Sequence, residues 1–443
     1  MEKIKLFLKN LKAKIAAFAK KVGKKNLIIG GSTIVGVIVL IIILSVCLTQ
    51  CSGNGTSTGS SSSNANTVTV TFLNPDGSTL ATKSVEKGET VSYDGTPTRA
   101  STTEGDIVTQ YSFKSWDKSL ENITEDTTIV AQYFSIKYTS NKSTVYYGRY
   151  PQSQVTDDAT LTTLNSLYSA LPTSDNLGQW VDFNFYIANN VVSYCYRLDV
   201  DTNNDGENDY RAIYFTKPRP SSCSSNNNGY TGANGFAINT VYWFKYEEIT
   251  WKTSKDKEGY LNVYSDKILD AMDYWYDTSY RYSGVTDYKG ETINSIQEPN
   301  GTDVFANDYR VSTARSFLNT TFFKSAIIDG EPFIQEATVK NGAETTKYSD
   351  NGYAVPNTSD KMYLLSYQEA TQLSDAGISL VAYPTDYAKC MGIQVINDSS
   401  SYWLRSPYAS DCYSQYVTRT GAITSDFVNY IFGIRPACLV KIG

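Results

Sequence analysis

Residues 201–209, DTNNDGEND, concentrate side-chain oxygens at a spacing found in calcium-binding loops. The candidate ligands are Asp201, Asn203, Asp205 and Asp209. The position where an EF-hand places its glutamate is Ala212, and the flanking segments alternate like strands rather than helices. An Asn-Asp-Gly turn between two strands accounts for the same residues without metal. We therefore expect a turn and no cofactor, with calcium as the alternative that a test must exclude.

Two arginines near the C-terminus lie among apolar residues, in SSYWLRSP (400–407) and GIRPACLV (433–440). The residues of this motif are Arg405, Arg435, Trp403, Pro407 and Pro436. A buried guanidinium needs a carboxylate or several carbonyls as partners. Both arginines can therefore either brace the closing strands or bind a ligand, and the apolar neighbours favour the brace.

Histidine is absent from all 443 residues. This excludes histidine acid–base catalysis, Ser-His-Asp and Cys-His nucleophiles, and imidazole metal ligands. Glu247 and Glu248 are the nearest approach to a glycosidase pair, but adjacent strand residues point to opposite faces and cannot flank one bond. We assign no catalytic residue.

The seven cysteines do not define a disulfide framework. Cys195 and Cys223 flank one loop region and could pair, and Cys390, Cys412 and Cys438 could be buried or include a second pair. If Cys47 and Cys51 lie at a membrane edge, an odd number remains, so we expect at least one free thiol.

Charge is distributed unevenly along the chain. Residues 1–25 hold nine lysines and one glutamate, a net charge of +8 against −6 for the whole chain, so the remaining residues carry −14. Apolar residues recur at helical spacing in residues 1–26, which predicts a basic amphipathic cytoplasmic segment on an anionic membrane surface. An acidic body argues against nucleic acid as a partner.

Residues 27–48 contain no charged side chain over 22 positions, which predicts a transmembrane helix. The lysines precede this segment, so the N-terminus is expected inside and the body outside the cell membrane. The alternative is a cleaved signal or lipoprotein leader, although Val46 and Gln50 fit poorly before Cys47 and Cys51. Residues 49–66 are rich in Gly and Ser and predict a flexible linker.

Residues 67–134 predict a small β module. Alternating residues on both sides of Pro75-Asp76-Gly77 indicate a hairpin, and a Trp116-Asp117 corner precedes a closing strand over 127–134. The VTF…DG opening, KGETV, F-x-x-W and T-x-x-A-x-Y resemble the Listeria–Bacteroides (internalin B-type) repeat. The resemblance implies a β-grasp-like spacer, with Trp116 in its core.

Residues 135–443 predict many short strands with few helices. Alternating strands flank residues 201–209, a second strand pair covers 239–269, a helix starts at Ser312, Ser366 and Glu369 form a capping box, and residues 432–442 form one closing strand. The motifs GRYPQ, VYWFKYEEITW, S-x-x-R-x-x-L-N, WLRSP and GIRPA resemble a bacterial domain family of unknown function. That family resembles the C-type-lectin-like fold of formylglycine-generating enzymes, whose reactive cysteine pair is missing here.

The expected fold class is β-rich α+β: a transmembrane helix, a β-grasp-like repeat and a larger C-type-lectin-like domain. The expected function is a membrane-anchored bacterial surface protein that binds a glycan or protein ligand. The alternative is an extracytoplasmic enzyme that uses carboxylates or a free cysteine. Clustering of Asp, Glu, Lys and Cys in one deep pocket would favour the enzyme.

Overall fold

The computed structural model describes residues 66–187, 190–217, 234–275, 306–341, 357–408 and 412–443. The strands are β1 Thr67–Leu73, β2 Thr79–Glu86, β3 Thr102–Glu104, β4 Ile107–Trp116, β5 Thr127–Thr139, β6 Thr144–Gln154, β7 Val181–Asp182, β8 Phe185–Ile187, β9 Asn190–Ser193, β10 Cys195–Val200, β11 Tyr210–Phe215, β12 Val241–Lys257, β13 Tyr260–Ser265, β14 Asp270–Asp273, β15 Ile334–Gln335, β16 Ala337–Val339, β17 Thr358–Asp360, β18 Met362–Leu364, β19 Tyr402–Pro407, β20 Tyr413–Val417, β21 Ile423–Phe427, β22 Ile431–Ile434 and β23 Pro436–Lys441.

Helices are few and short in the described residues. They are α1 Asp158–Asn165, α2 Thr313–Phe317, α3 Phe323–Ala326, α4 Tyr367–Asp375 and α5 Asp386–Cys390, with a 3-10 turn at Tyr309–Val311 and a π-helical turn at Leu318–Phe322 between α2 and α3. The described residues are β-rich, as expected, but the transmembrane helix of the predicted fold class is not supported. No helix in the described residues is long and apolar enough to cross a membrane, and the predicted transmembrane helix at 27–48 lies outside them.

The chain divides into two compact units. The first comprises the described part of Met1–Pro97 together with Ser115–Gln132, and the second comprises Thr98–Lys114 with Tyr133–Gly443. Residues 98–114, within the predicted repeat, thus group with the second unit. The predicted cytoplasmic segment and almost all of the linker lie outside the described residues.

The first unit is built on the predicted hairpin. β1 and β2 pair antiparallel around the turn, where Gly77 takes a positive φ of 85°, and β1 also pairs parallel with the start of β5. The rings of Phe72 and Trp116 are 4.8 Å apart, and Tyr93 packs against both. Trp116 is therefore part of the packing around this small core, as predicted.

The second unit contains two main sheets around a large apolar core. One sheet has the order β15-β23-β13-β12-β6-β5, and β11 and β10 continue from β12. The other has the order β14-β22-β19-β20-β21. The hairpins β10–β11 and β12–β13 confirm the two predicted strand pairs.

Local capping signals also hold. The Ser312 side chain accepts a hydrogen bond from the Arg315 amide at the start of α2, and Ser366 and Glu369 form the predicted capping box of α4. The single closing strand predicted over 432–442 is wrong, because the chain passes between sheets at Arg435: β22 belongs to the second sheet and β23 to the first.

Candidate functional site

A cleft of about 500 Å³ in the second unit brings together five segments that are far apart in the sequence. Three of them belong to motifs already noted: GRYPQ in β6, the tip of the 201–209 loop, and VYWFKYEEITW in β12. The other two are Ser135 in β5 and residues 324–329 at the end of α3. The residues that line it include Tyr147, Gly148, Arg149, Gly206, Glu207, Asn208, Tyr246, Glu248, Lys324, Ser325 and Asp329.

Gly148 lets the wall formed by β6 approach the end of α3. Its φ is +71°, and a Cβ at this position would lie 2.7 Å from both the Ala326 carbonyl oxygen and the Ile327 Cδ1. Backbone and a branched side chain leave no room for a methyl group, and the positive φ disfavours any L-residue. The glycine of GRYPQ is thus required by the geometry of the cleft wall.

Four side chains form the inner cluster of the cleft: Asp199, Arg211, Tyr246 and Ser325. Arg211 is fully buried and donates from Nε and Nη2 to the two Asp199 oxygens at 2.7 and 2.9 Å. Its Nη2 also donates to the Tyr246 hydroxyl and to Ser325 Oγ, both at 2.7 Å. The Tyr246 hydroxyl lies 3.0 Å from Asp199 Oδ1 and 2.9 Å from Ser325 Oγ. The inner cluster is therefore extensively bonded within itself.

The inner cluster is not tuned for proton transfer near neutral pH. Burial raises the pKa of Tyr246 to about 12, although the Arg211 guanidinium partly opposes this. Burial would also raise the pKa of Asp199, but Arg211 outweighs it and holds that pKa below its usual value. Tyr246 stays protonated and Asp199 ionised, so neither suits a general acid or base. Of its four members only Tyr246 and Ser325 line the cleft, so the cluster holds two hydroxyl groups in fixed positions there.

The rim of the cleft is charged and more loosely held. Arg149, whose side chain is 35% exposed, donates from Nη2 to the Tyr246 carbonyl oxygen at 3.0 Å. Its contacts with Glu207 and Asp209 are both 3.6 Å, which is too long for a hydrogen bond. Lys324 is exposed at the same rim. The rim thus has two cationic side chains, Arg149 and Lys324, with N–H donors that are not all used in hydrogen bonds within the described residues.

The 201–209 loop, predicted as a turn with calcium as the alternative, forms one wall of this cleft through its tip. Asp201 Oδ1 accepts from the Asn203 and Asn204 amides, and its Oδ2 accepts from the Gly206 amide at 2.8 Å. Asn203 Oδ1 accepts from the Asp205 amide, and Asp205 Oδ1 from the Glu207 amide.

Asp209 Oδ2 accepts from the Thr202 hydroxyl at 2.6 Å. These bonds are those of a turn that satisfies its own backbone. Among the described residues, no group of three or more Asp, Glu or Cys side chains is arranged to hold a metal ion.

The closing arginines lie in the interior, and neither lines the cleft. Arg405 is 3% exposed and donates to the Lys340 and Leu364 carbonyls and to the Glu369 carboxylate. Burial would raise the pKa of Glu369, but Arg405 outweighs it and lowers that pKa. This arginine thus ties β19 to β18 and to the first turn of α4.

Arg435 is 5% exposed and has no carboxylate partner among the described residues. Nε and Nη2 donate to the Ser265 and Asp266 carbonyls at 2.9 and 3.2 Å, and Nη1 donates to the Tyr402 hydroxyl at 3.0 Å. The guanidinium also lies over the rings of Tyr264 and Tyr402. It links the end of β13 to β19 where the chain changes sheets.

The other motif residues lie in the same interior. Trp403 is fully buried and its Nε1 donates to the Met272 carbonyl at 3.0 Å. Pro407 ends β19, and Pro436 starts β23, a position where a strand tolerates the missing N–H.

The two adjacent glutamates contact different partners. Glu247 Oε2 accepts from the Ser153 hydroxyl, whereas Glu248 Oε1 lies 2.8 Å from Lys137 Nζ. Cys223 lies outside the described residues, and Cys195, Cys390 and Cys438 are buried. Burial raises the pKa of the Cys390 and Cys438 thiols, which disfavours thiolate chemistry.

Sequence reasoning missed the inner cluster and Arg149. One signal was available for two of its members: Asp199 and Arg211 are direct cross-strand partners in the predicted hairpin. Aligning the hairpin about its turn would have paired these opposite charges. No comparable signal joins Ser325 or Tyr246 to them, because these residues come from α3 and β12.

Comparison with known proteins identifies part of the chain. Residues 287–442 match a family described as a domain of unknown function, DUF6273. The chain thus contains a C-terminal domain of unknown function. No curated protein and no solved structure matches it significantly. The comparisons therefore do not support the predicted likeness to the C-type-lectin-like fold.

The matched region contributes only part of the cleft. Lys324, Ser325 and the residues up to Asp329 fall inside it, whereas Arg149, Glu207 and Tyr246 precede it. The cleft is completed by strands and a loop that lie N-terminal to the DUF6273 match.

Proposed function

We propose that this protein is an extracytoplasmic surface protein that binds a glycan in the cleft. The single observation that carries the proposal is the convergence of five segments on one cleft that has fixed hydroxyl groups inside and loosely held charges at its rim. Hydroxyl-rich ligands need such donors and acceptors held in place.

The second unit supports binding more strongly than catalysis. Tyr246 and Asp199 have pKa values shifted away from neutrality, and the Cys390 and Cys438 thiols are buried. The carboxylate Glu248, at the rim, is engaged with Lys137. Carboxylates and a lysine do line the cleft, but no cysteine is among the residues that line it, so the free-cysteine form of the enzyme alternative has no support there.

The first unit fits the role of a spacer. Its aromatic side chains Phe72, Tyr93 and Trp116 pack against one another and form its interior. This agrees with the resemblance of residues 67–134 to internalin B-type repeats, which implies a spacer in a surface protein. The Gly/Ser-rich composition of residues 49–66 would give the body freedom to reorient.

The test is binding of the full chain to a panel of soluble neutral and acidic glycans. Asn208→Trp places a large ring at the mouth of the cleft, and Ser174→Trp makes the same addition at an exposed position outside it. We expect the parent and Ser174→Trp to bind the same glycan, and Asn208→Trp to lose at least about tenfold in affinity, with melting temperatures alike. Binding that Asn208→Trp leaves unchanged, or no binding to any glycan, would contradict the proposal.

A further inference from the structure

The cleft has more hydrogen-bond donors than its own acceptors use. A guanidinium carries five N–H donors. Of those on Arg149, only one on Nη2 has an acceptor within hydrogen-bond range in the described residues, the Tyr246 carbonyl at 3.0 Å. Lys324 adds an exposed ammonium group, with no ion pair in the described part of the chain. Arg211, by comparison, uses its donors on Asp199 and three hydroxyls.

Most carboxylates around the cleft are already engaged. Glu248 pairs with Lys137 at 2.8 Å, and Asp209 Oδ2 accepts from the Thr202 hydroxyl at 2.6 Å. Asp329 Oδ1 accepts from the Gly330 amide at 3.0 Å. Glu207 and Asp209 both lie 3.6 Å from Arg149, but the Glu207 side chain is the more exposed of the two, at 35% against 16%. It neutralises Arg149 at a distance without a short hydrogen bond.

The geometry points to a ligand carboxylate as the acceptor for the unused N–H donors of Arg149. We infer that the cleft selects a saccharide carrying a carboxylate, such as a uronic acid, and that Arg149 is the residue that determines this selectivity. The inference rests on the proposed function and names its ligand class. A carboxylate matches the planar fork of arginine with two parallel bonds of about 2.7–2.9 Å, shorter than the present contact with Glu207.

Glu207 then acts as an internal competitor for Arg149. An exposed ion pair contributes little to stability, so a ligand carboxylate can displace it at small cost. Replacing Glu207 by glutamine removes the competing charge but keeps the shape of the loop tip, whose backbone amide is held by Asp205. The substitution should therefore strengthen the binding of an acidic saccharide and leave that of a neutral one unchanged.

The experiment compares a galacturonic acid trimer with its methyl ester, two probes that differ in charge. Binding to the full chain is measured by calorimetry at low and high salt. We expect the acid to bind at least about tenfold more tightly than the ester at low salt, since a charge-assisted bidentate contact distinguishes them. That advantage should shrink at high salt.

Four variants test whether Arg149 determines the preference. Arg149→Ala should bind acid and ester equally, and Arg149→Lys should recover only part of the preference because it lacks the fork. Arg419→Ala, at an exposed arginine outside the cleft, should behave like the parent. Glu207→Gln should bind the acid about two- to fivefold more tightly, with the ester unchanged.

The outcomes separate this inference from the proposed function. Equal binding of acid and ester by the parent overturns the selectivity, and so does an acid preference that survives in Arg149→Ala. If the parent binds both probes equally and Asn208→Trp binds neither, the selectivity is wrong but glycan binding in the cleft still stands. If neither probe binds, the inference is wrong, whereas the proposed function then depends on whether the wider glycan panel shows binding that Asn208→Trp weakens.

Discussion

Arg435 and Arg149 belong to the same unit but lie in opposite surroundings. Arg435 is 5% exposed, donates to two carbonyls and a hydroxyl, and lies over two tyrosine rings. Arg149 has a side chain that is 35% exposed, makes one short hydrogen bond and lies 3.6 Å from two carboxylates. The first commits three of its five N–H donors to the fold, while the second commits one and keeps the others for another molecule.

This difference teaches that an arginine's role depends on how many of its donors the fold itself uses. The more apolar sequence context belongs to the arginines that are most fully bonded in the interior. The polar context of GRYPQ belongs to the arginine at the cleft. The brace assignment of Arg405 and Arg435 stays a prediction, and stability measurements decide it.

The largest effect is expected from Arg405→Ala and Arg435→Ala. Each substitution leaves carbonyls without their donor, and Arg405→Ala also leaves Glu369 unpaired, so we expect a loss of about 3–5 kcal/mol in the free energy of unfolding. The loss at Arg405 should lie toward the lower end, because the Glu369 side chain is 39% exposed. Urea unfolding of each variant measures it.

Arg149→Ala is the matched control, and it should change stability by less than about 1 kcal/mol because the pair it breaks is half-exposed. Lysine at Arg405 or Arg435 should restore little, since it cannot reproduce the fork. The comparison breaks down if Arg435→Ala unfolds like the parent, or if Arg149→Ala is the more damaging change.

A smaller effect should appear in the pH dependence of stability. The pKa of Glu369 in the folded chain is below its usual value, because Arg405 outweighs the effect of burial. Ionised Glu369 therefore stabilises the fold above its unfolded pKa of about 4.3, and this contribution is lost as the pH falls through the folded pKa.

Glu369→Gln should thus melt lower than the parent at pH 7, with the gap closing below about pH 4. Thermal unfolding from pH 7 to pH 3 measures the gap, and Asp375→Asn, at an exposed position at the end of the same helix, is the control. A gap that stays constant down to pH 3 would show that the ion pair does not contribute in this way.

The smallest effect is expected from calcium. Asp201 and Asn203 already accept hydrogen bonds from the backbone of their own loop, so the turn is satisfied without a cation. The full chain should melt at nearly the same temperature in calcium and in chelator. A rise of several degrees in calcium that disappears in Asp205→Ala would reverse this prediction through ligand linkage.

Local signals were sufficient for much of the fold. The alternation around residues 201–209 predicts β10 and β11, and Ser312, Ser366 and Glu369 cap the helices that they were expected to cap. These features depend on neighbours within a few residues, so the sequence contains most of what decides them. The closing segment is different, because the change of sheet at Arg435 depends on which strands lie beside it.

Most of the candidate site could not be predicted in this way. Tyr246 and Ser325 are 79 residues apart in the chain, and nothing in either local pattern indicates that their hydroxyls lie 2.9 Å apart. Gly148 appeared as part of a motif, but the reason for a glycine there is the nearby Ala326 carbonyl.

The sequence by itself determined the exclusions and the local elements. With no histidine, whole classes of catalysis and metal binding are impossible in any fold of this chain, and periodicity and capping residues specify individual strands and helices. Only the tertiary structure decided which arginine is buried and which keeps donors for a ligand. The physical reason is that a guanidinium is satisfied by groups close in space, and for Arg435 and Arg211 these include Ser265 and Ser325, more than a hundred positions away in the chain.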